Sequence, residues 1–586
     1  MLRRSGTHLT SSGSGAGLAA CYGSLPFIAL PASGPGRYKA GMDLVEIILA
    51  LIAACIGFSL LARLLKVPYA VILVLGGMVL ALTPGLPEVR LNPELALAFF
   101  LPPLLQSSAF RTDWRAFRSN LRPILLLAVG AVAFTAFAVG FVARWLVPDL
   151  PWAAALALGA IVAPPDAVAA GAVLQRLRLP KRIVTVLEGE SLINDASSLV
   201  LYKLAVAAAV ASGGLAAGSG ALTFAALALG GIAVGWIVGV ATLWVLKRLD
   251  DTLLETTTGF LAGYAAYLAG EALHVSGVMA VVTAGLLFGR AQHTSFTYSA
   301  RLNARAVWGF VEFILNSLIF VLIGLQLNHI LDRIADRGPR ELAGLALGIA
   351  GTLIVSRFVW VFPATLLPRL VPGQRRRDPL PPWSHVTIIS WAGMRGVVSL
   401  AAALALPDAF PERDLIIFLA FAAILATLVV QGTTLEWLIC RLHAELPPHP
   451  YGIDPAEAEG RRLVAATMLA EIESRLEDPL EGAIAADLVH EFRDRAGHLH
   501  RTAKNRGAAS AERATRRRMR LAALESARVQ LFAHYRAGHL QEEGLVKLEQ
   551  ELDLEEIRVR QVLGDERTAE QRHADAERRR AVEAAA

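Results

Sequence analysis

The chain has 586 residues, of which 55% are hydrophobic and 18% charged, with a formal net charge of +6. Soluble proteins are roughly 45–50% apolar, so this composition and a mean hydropathy of +0.50 exclude an ordinary soluble enzyme and point to an all-α polytopic membrane protein. The basic excess follows the loops between apolar stretches, so nucleic acid is not expected as a partner.

Residues 1–41 are rich in Gly, Ser and Pro and lack helical periodicity. A basic start and a short apolar patch permit a signal peptide. A disordered leader or over-extended start is the expectation, because Met42 directly precedes the first apolar span. Stretches of about 20 apolar residues, enough to cross a bilayer as a helix, then fall at 43–62, 68–83, 93–110, 122–146, 152–174, 183–211, 221–246, 256–273, 275–289, 306–328, 341–367, 384–406 and 414–438. They predict about thirteen transmembrane helices in a domain spanning 42–444.

Loop charges orient them, because cytoplasmic loops retain Lys and Arg. With the N-terminus outside, the inner loops hold Arg63 and Lys66; Arg111, Arg115, Arg118 and Arg122; Arg176, Arg178, Lys181 and Arg182; Lys247 and Arg248; Arg290, Arg301 and Arg305; and Arg369 and Arg375 to Arg377. The outer loops hold only Arg90, Arg144, Arg333, Arg337, Arg340 and Arg413. This alternation predicts an odd number of crossings and a cytoplasmic C-terminus.

Residues 445–586 mix charges of both signs with Leu, Ile and Val at three- and four-residue spacing, which predicts a mainly helical cytoplasmic tail. It carries no kinase, cyclase or nucleotide-binding motif, so a regulatory or dimer-stabilising role is expected. The run Arg513, Arg516, Arg517, Arg518 and Arg520 reads as a solvated helix face, with contact to anionic lipid headgroups as the alternative. Cys21, Cys55 and Cys440 have neither paired nor ligand-like spacing, and no cofactor or disulfide is expected.

The stretch 188–202, "EGESLINDASSLVLY", places carboxylates inside the sixth span. An acidic residue near the bilayer centre costs on the order of 2.5–3.5 kcal/mol and usually marks an ion or proton path. On a helix, Glu190 shares a face with Asn194 and Ser197, while Asp195 lies about 100° further round with Ser191 and Ser198 on its own stripe. The fifth span, "LALGAIVAPPDAVAAGAVL", is interrupted by Pro164 and Pro165 beside Asp166. In the twelfth, "SWAGMRGVVSL", Gly393 and Gly396 flank Arg395. Discontinuous helices in corresponding positions of two halves, here with the seventh span as linker, indicate an inverted repeat with its site at the midplane.

"LEGESLINDASSLVLY", the aspartate 29 positions earlier in a broken helix, and "GMRGVVSLA" far downstream resemble the monovalent cation/proton antiporter family of bacterial NhaP-type and animal NHE-type exchangers. "FFLPPLLQSSAF", "FVEFILNSLIFVLIGL" and "LATLVVQGTTL" extend the resemblance over about residues 43–440. It implies that Asp195 binds cation and proton alternately, that Asn194 belongs to the electroneutral branch, and that Asp166 sits near the ion. It also implies a structural ion pair between Glu190 and Arg395, and a homodimer. Ser191, Ser198, Glu312 and Asn316 are further candidates for ligands or cavity lining.

The chain departs from the family pattern in having Pro165, Asp166 and Ala167 where Thr-Asp-Pro is usual, and Gln106 and Ser107 after "LPPLL". Asn316 replaces an expected acid, with Glu312 one turn earlier. The implied activity is secondary antiport of a monovalent cation, sodium first and potassium or lithium as alternatives, against protons, serving pH and cation homeostasis. Membrane lipid, the cations and protons are the expected partners. Two other classes stand beside it. An intramembrane aspartyl protease would use the two aspartates as a dyad, but its Gly-containing signature is absent. A sensor would signal through the long tail.

Overall fold

The computed structural model describes residues 28–29, 44–84, 90–91, 93–174, 177, 179–210, 217–334, 336–370, 378–444, 455–478, 481–504 and 508–563. The leader expected over 1–41, with Cys21, lies outside them except for Ile28 and Ala29, which pair antiparallel with Arg90 and Leu91. Every other regular element among the described residues is helical. The chain divides into two units, Met1–Leu446 and Pro447–Ala586.

The first unit opens with α1 (Leu44–Leu65), stopped where Lys66 takes a left-handed φ of 56°. Pro68 then starts α2 (Tyr69–Ala81). Next come α3 (Pro93–Arg111) and α4 (Trp114–Ser119), the latter capped by the Asp113 carboxylate. Helix α5 (Leu121–Leu125) continues through one π-helical turn, Leu126–Ala131, into α6 (Val132–Leu146). The wider turn displaces the Leu126 carbonyl, which accepts a hydrogen bond from the Trp360 indole at 2.9 Å.

Helix α7 (Trp152–Val162) stops short of Pro164 and Pro165, whose missing donors and ring clashes break the ladder. The chain resumes as α8 (Ala167–Leu174) and then the 30-residue α9 (Lys181–Val210). After α10 (Ala217–Leu246), side-chain caps from Asp251, Ser276 and Thr297 open α11 (Thr252–Ala272), α12 (Gly277–Ser295) and α13 (Tyr298–Leu325). Then follow α14 (Leu327–Arg333), α15 (Pro339–Leu366), α16 (Trp383–Trp391), α17 (Val397–Leu404) and α18 (Arg413–Arg441).

Among the described residues, seven helical segments are long and apolar enough to cross a membrane, with shorter apolar helices beside them. Packing sorts them into two bundles. One contains α1 to α3 and α10 to α13; the other contains α5 to α9 and α15 to α18. Helices α2 and α13 meet at Gly77 and Gly324, where a Cβ on Gly324 would come within 2.6 Å of the Met78 amide, so only a bare backbone allows the approach. The bundles meet where α17 lies on α3 and α13, α9 on α10 and α12, and α18 on α2. Helix α7 is buried along most of its length, which sets its broken end deep in the molecule. Cys55 is a buried thiol and Cys440 an exposed one.

The second unit comprises α19 (Pro455–Glu473), which packs on α20 (Gly482–Lys504), and α21 (Ala508–Arg536), which packs on α22 (Glu542–Leu563). Arg528 joins the second pair through Glu556 at 2.8 Å.

Candidate functional site

Two non-helical segments, 163–166 after α7 and 392–396 after α16, cross inside the second bundle. The amide of Asp166 donates to the Met394 carbonyl at 2.7 Å, which joins one break to the other. A Cβ on Gly396 would collide with the Asp166 carboxylate, so this close approach requires glycine.

Irregular backbone in an apolar interior needs partners for its polar groups. Arg395, 1% exposed, supplies several. Its Nε donates to the Val162 carbonyl at 2.7 Å, at the negative end of α7, and its guanidinium also reaches the Gly393 carbonyl. Its own amide donates to Thr427 Oγ1 at 3.1 Å. From α9, Asn194 Nδ2 donates to the Pro165 carbonyl at 2.8 Å, and Ser191 Oγ donates to the same oxygen at 3.1 Å.

The expected pair between Glu190 and Arg395 is corrected by the structure. Glu190 is bound by Arg357 of α15, through two parallel bonds of 2.6 and 2.8 Å, with both side chains almost fully buried. The reason is geometric: Arg395 is turned to backbone carbonyls, while Arg357 presents its planar fork to the carboxylate. Arg357 Nε also donates to the Ile389 carbonyl at 3.1 Å, tying α16 to α9 and α15. The sequence reading passed over Arg357, although a lone arginine well inside a 28-residue apolar helix is itself a signal.

Beside the crossing is a cavity of about 80 Å³ lined by Pro165, Asp166, Ser191, Asp195, Asn316 and Ser399 among others. Both aspartates are half-buried. Among the described residues no hydrogen bond engages the Asp195 carboxylate; its backbone carbonyl accepts from Ser198 Oγ at 3.0 Å. Ser198 therefore braces α9 rather than lining the cavity. Among the described residues, Asn194 Oδ1 and Ser399 Oγ are buried without a hydrogen-bond partner. The remaining walls are largely apolar, Leu101, Leu105 and Val398 among them, so a few side-chain oxygens and unwound backbone meet in an otherwise apolar space, an arrangement that suits a monovalent cation or water.

Asn316 reaches this cavity, but Glu312 does not. Glu312 is held by Arg111, with Nη1 to Oε2 at 2.7 Å, and accepts from Ser107 Oγ. Lys203 of α9 meets Glu271 of α11 at 3.2 Å.

Residues 47–441 match the family model for the transmembrane sodium/hydrogen exchanger. An uncharacterised Na(+)/H(+) exchanger of Mycobacterium tuberculosis is 38% identical over 408 residues, covering 67% of this chain and 73% of its own. A sodium, potassium, lithium and rubidium/H(+) antiporter of Bacillus subtilis is 34% identical over 415 residues, covering 68% and 62%. A sodium proton antiporter of Methanocaldococcus jannaschii shares the fold, with a TM-score of 0.54 at 20% identity over 68% of this chain and 99% of that one. With the family model covering well over half its length, the chain belongs to the sodium/hydrogen exchanger family of membrane transporters.

Proposed function

We propose that the chain exchanges a monovalent cation for protons across the bacterial inner membrane, with the two ligands taking turns at Asp195. The observation that carries this is the placement of Asp195 and Asp166 on one cavity at the crossing of two broken helices. Most neighbouring polar groups have other partners: Arg395, Ser191 and the Asn194 amide nitrogen bind backbone carbonyls, and Glu190 binds Arg357. This division of labour leaves the Asp195 carboxylate facing the cavity.

Burial disfavours an ionised carboxylate, and a cation beside it restores the ionised form. One carboxylate cannot hold a proton and a cation together. If only the neutralised site moves readily, exchange is obligatory and a proton gradient drives cation export. Asp166 and the unwound carbonyls then help replace the cation's hydration shell.

The cavity draws its walls from both bundles, Leu101 and Asn316 from the first and Asp195 and Ser399 from the second. Rocking or sliding of one bundle against the other would expose the site to each side in turn. In this reading the crossings number thirteen, α7/α8 and α16/α17 are corresponding broken helices of an inverted repeat, and α10 is the linker. The N-terminus lies outside and the helices after residue 445 form a cytoplasmic regulatory tail. The transporter acts as a homodimer and, with Asn194 preceding Asp195, without net charge movement. Sodium is the first candidate substrate; the name of the Bacillus subtilis relative, which includes potassium and lithium, makes these the alternatives.

The test is proton flux in everted vesicles from a strain lacking its own antiporters, on addition of sodium, potassium or lithium. Dissipation of the gradient by one of them names the substrate. No flux with any of the three, in protein shown to be inserted, contradicts the proposal.

A further inference from the structure

A second cavity, of about 70 Å³, lies away from the crossing, between the π-helical turn and α9, α15 and α16. Four basic side chains line it, Arg122, Arg182, Arg369 and His385, against one acid, Asp378. Asp378 is already shared: Arg182 reaches Oδ1 at 2.7 Å and Arg369 reaches Oδ2 at 2.5 Å. Arg122 and His385 have no side-chain partner among the described residues. With histidine neutral, the three arginines against one aspartate leave an excess of two positive charges.

The rest of the wall is apolar, including Leu127, Val186 and Ile389. Leu367 and Leu370, which flank the lining residues Pro368 and Arg369 in the chain, and Trp383, two residues before His385, are large apolar side chains that are 62%, 75% and 55% exposed. A free anion would use the charges but not the apolar rim. An amphiphile would use both, and tryptophan and arginine together are typical of the membrane interface. The arginines also lie at three loops of the chain's basic excess, where an anionic leaflet is attracted.

We propose that this pocket binds the phosphate headgroup of an anionic glycerophospholipid, with its acyl chains against the exposed apolar rim. Arg122, Arg182 and Arg369 come from the start of α5, the start of α9 and the turn after α15. One bound phosphate therefore bridges three parts of the bundle that carries the crossing.

The experiment is native mass spectrometry of the purified full chain with phosphatidylglycerol, with phosphatidylcholine of the same acyl chains, and with inorganic phosphate. The expected result is retention of phosphatidylglycerol over phosphatidylcholine, reduced several-fold by Arg122→Gln and at least tenfold by Arg122→Gln with Arg182→Gln. Because Arg122 has no side-chain partner to lose among the described residues, the single variant is informative even if the double variant unfolds. Asp195→Asn should retain the lipid as the wild type does. Equal binding of the two lipids, unchanged binding in Arg122→Gln, or displacement of the lipid by equimolar inorganic phosphate would overturn the assignment.

Discussion

Glu190 and Arg357, 167 residues apart in sequence, face each other through two bonds of 2.6 and 2.8 Å and are 1% and 3% exposed. Removing one partner of a buried pair typically costs about 3–5 kcal/mol, because the other charge is stranded. Glu190→Gln and Arg357→Gln are each expected to lower thermal stability strongly, and the double variant to recover part of the loss. A double-mutant cycle for Glu190 with Arg395 should show the weaker coupling; the reverse order would contradict the pairing.

Gly396 is required by the Asp166 carboxylate beside it. Overpacking costs typically about 1–3 kcal/mol. Gly396→Ala is therefore expected to insert normally and to lose exchange by about tenfold or more, about 1.4 kcal/mol for each factor of ten. Wild-type rates in this variant would show that the two breaks do not need their close contact.

Asn194 and Ser191 donate to one carbonyl, that of Pro165. Depriving a buried group of its partner costs about 1–3 kcal/mol. Each alanine variant should lower the melting temperature modestly, and the pair together by more than the sum, since each donor covers for the other. Simple additivity in melting experiments would argue against a shared acceptor.

Asn316 lines the aspartate cavity, whereas Glu312 is tied to Arg111 outside it. Asn316→Ala is expected to raise the cation KM about fivefold, the equivalent of about 1 kcal/mol for one hydrogen bond. Glu312→Gln should leave KM near the wild-type value. If Glu312→Gln instead changes which cation is preferred, that residue must reach the ion in another state.

Much of the site could be read from residue types. Pro164 and Pro165 announce the first break because proline removes the ladder donor, and Gly393 and Gly396 mark the second. The partner of Glu190 could not be read in this way, because helical spacing orders side chains within a helix and says nothing of which distant helix packs against it. Arg357 was present as a cue, an isolated charge in an apolar helix, but Arg395 stood in the more conspicuous motif. The π-helical turn at Leu126–Ala131 had no cue in its own residues; its displaced carbonyl is satisfied by Trp360, from a helix more than 200 residues later.

The most direct measurement of the central claim is the cation KM of purified protein in proteoliposomes as a function of pH, with Asp195→Asn alongside. If proton and cation compete for one carboxylate, KM should rise by about tenfold for each unit of acidification below the site's pKa, with the maximal rate at saturating cation much less affected. Asp195→Asn should show no exchange at any pH. A KM independent of pH, or substantial exchange by the asparagine variant, would contradict the shared site.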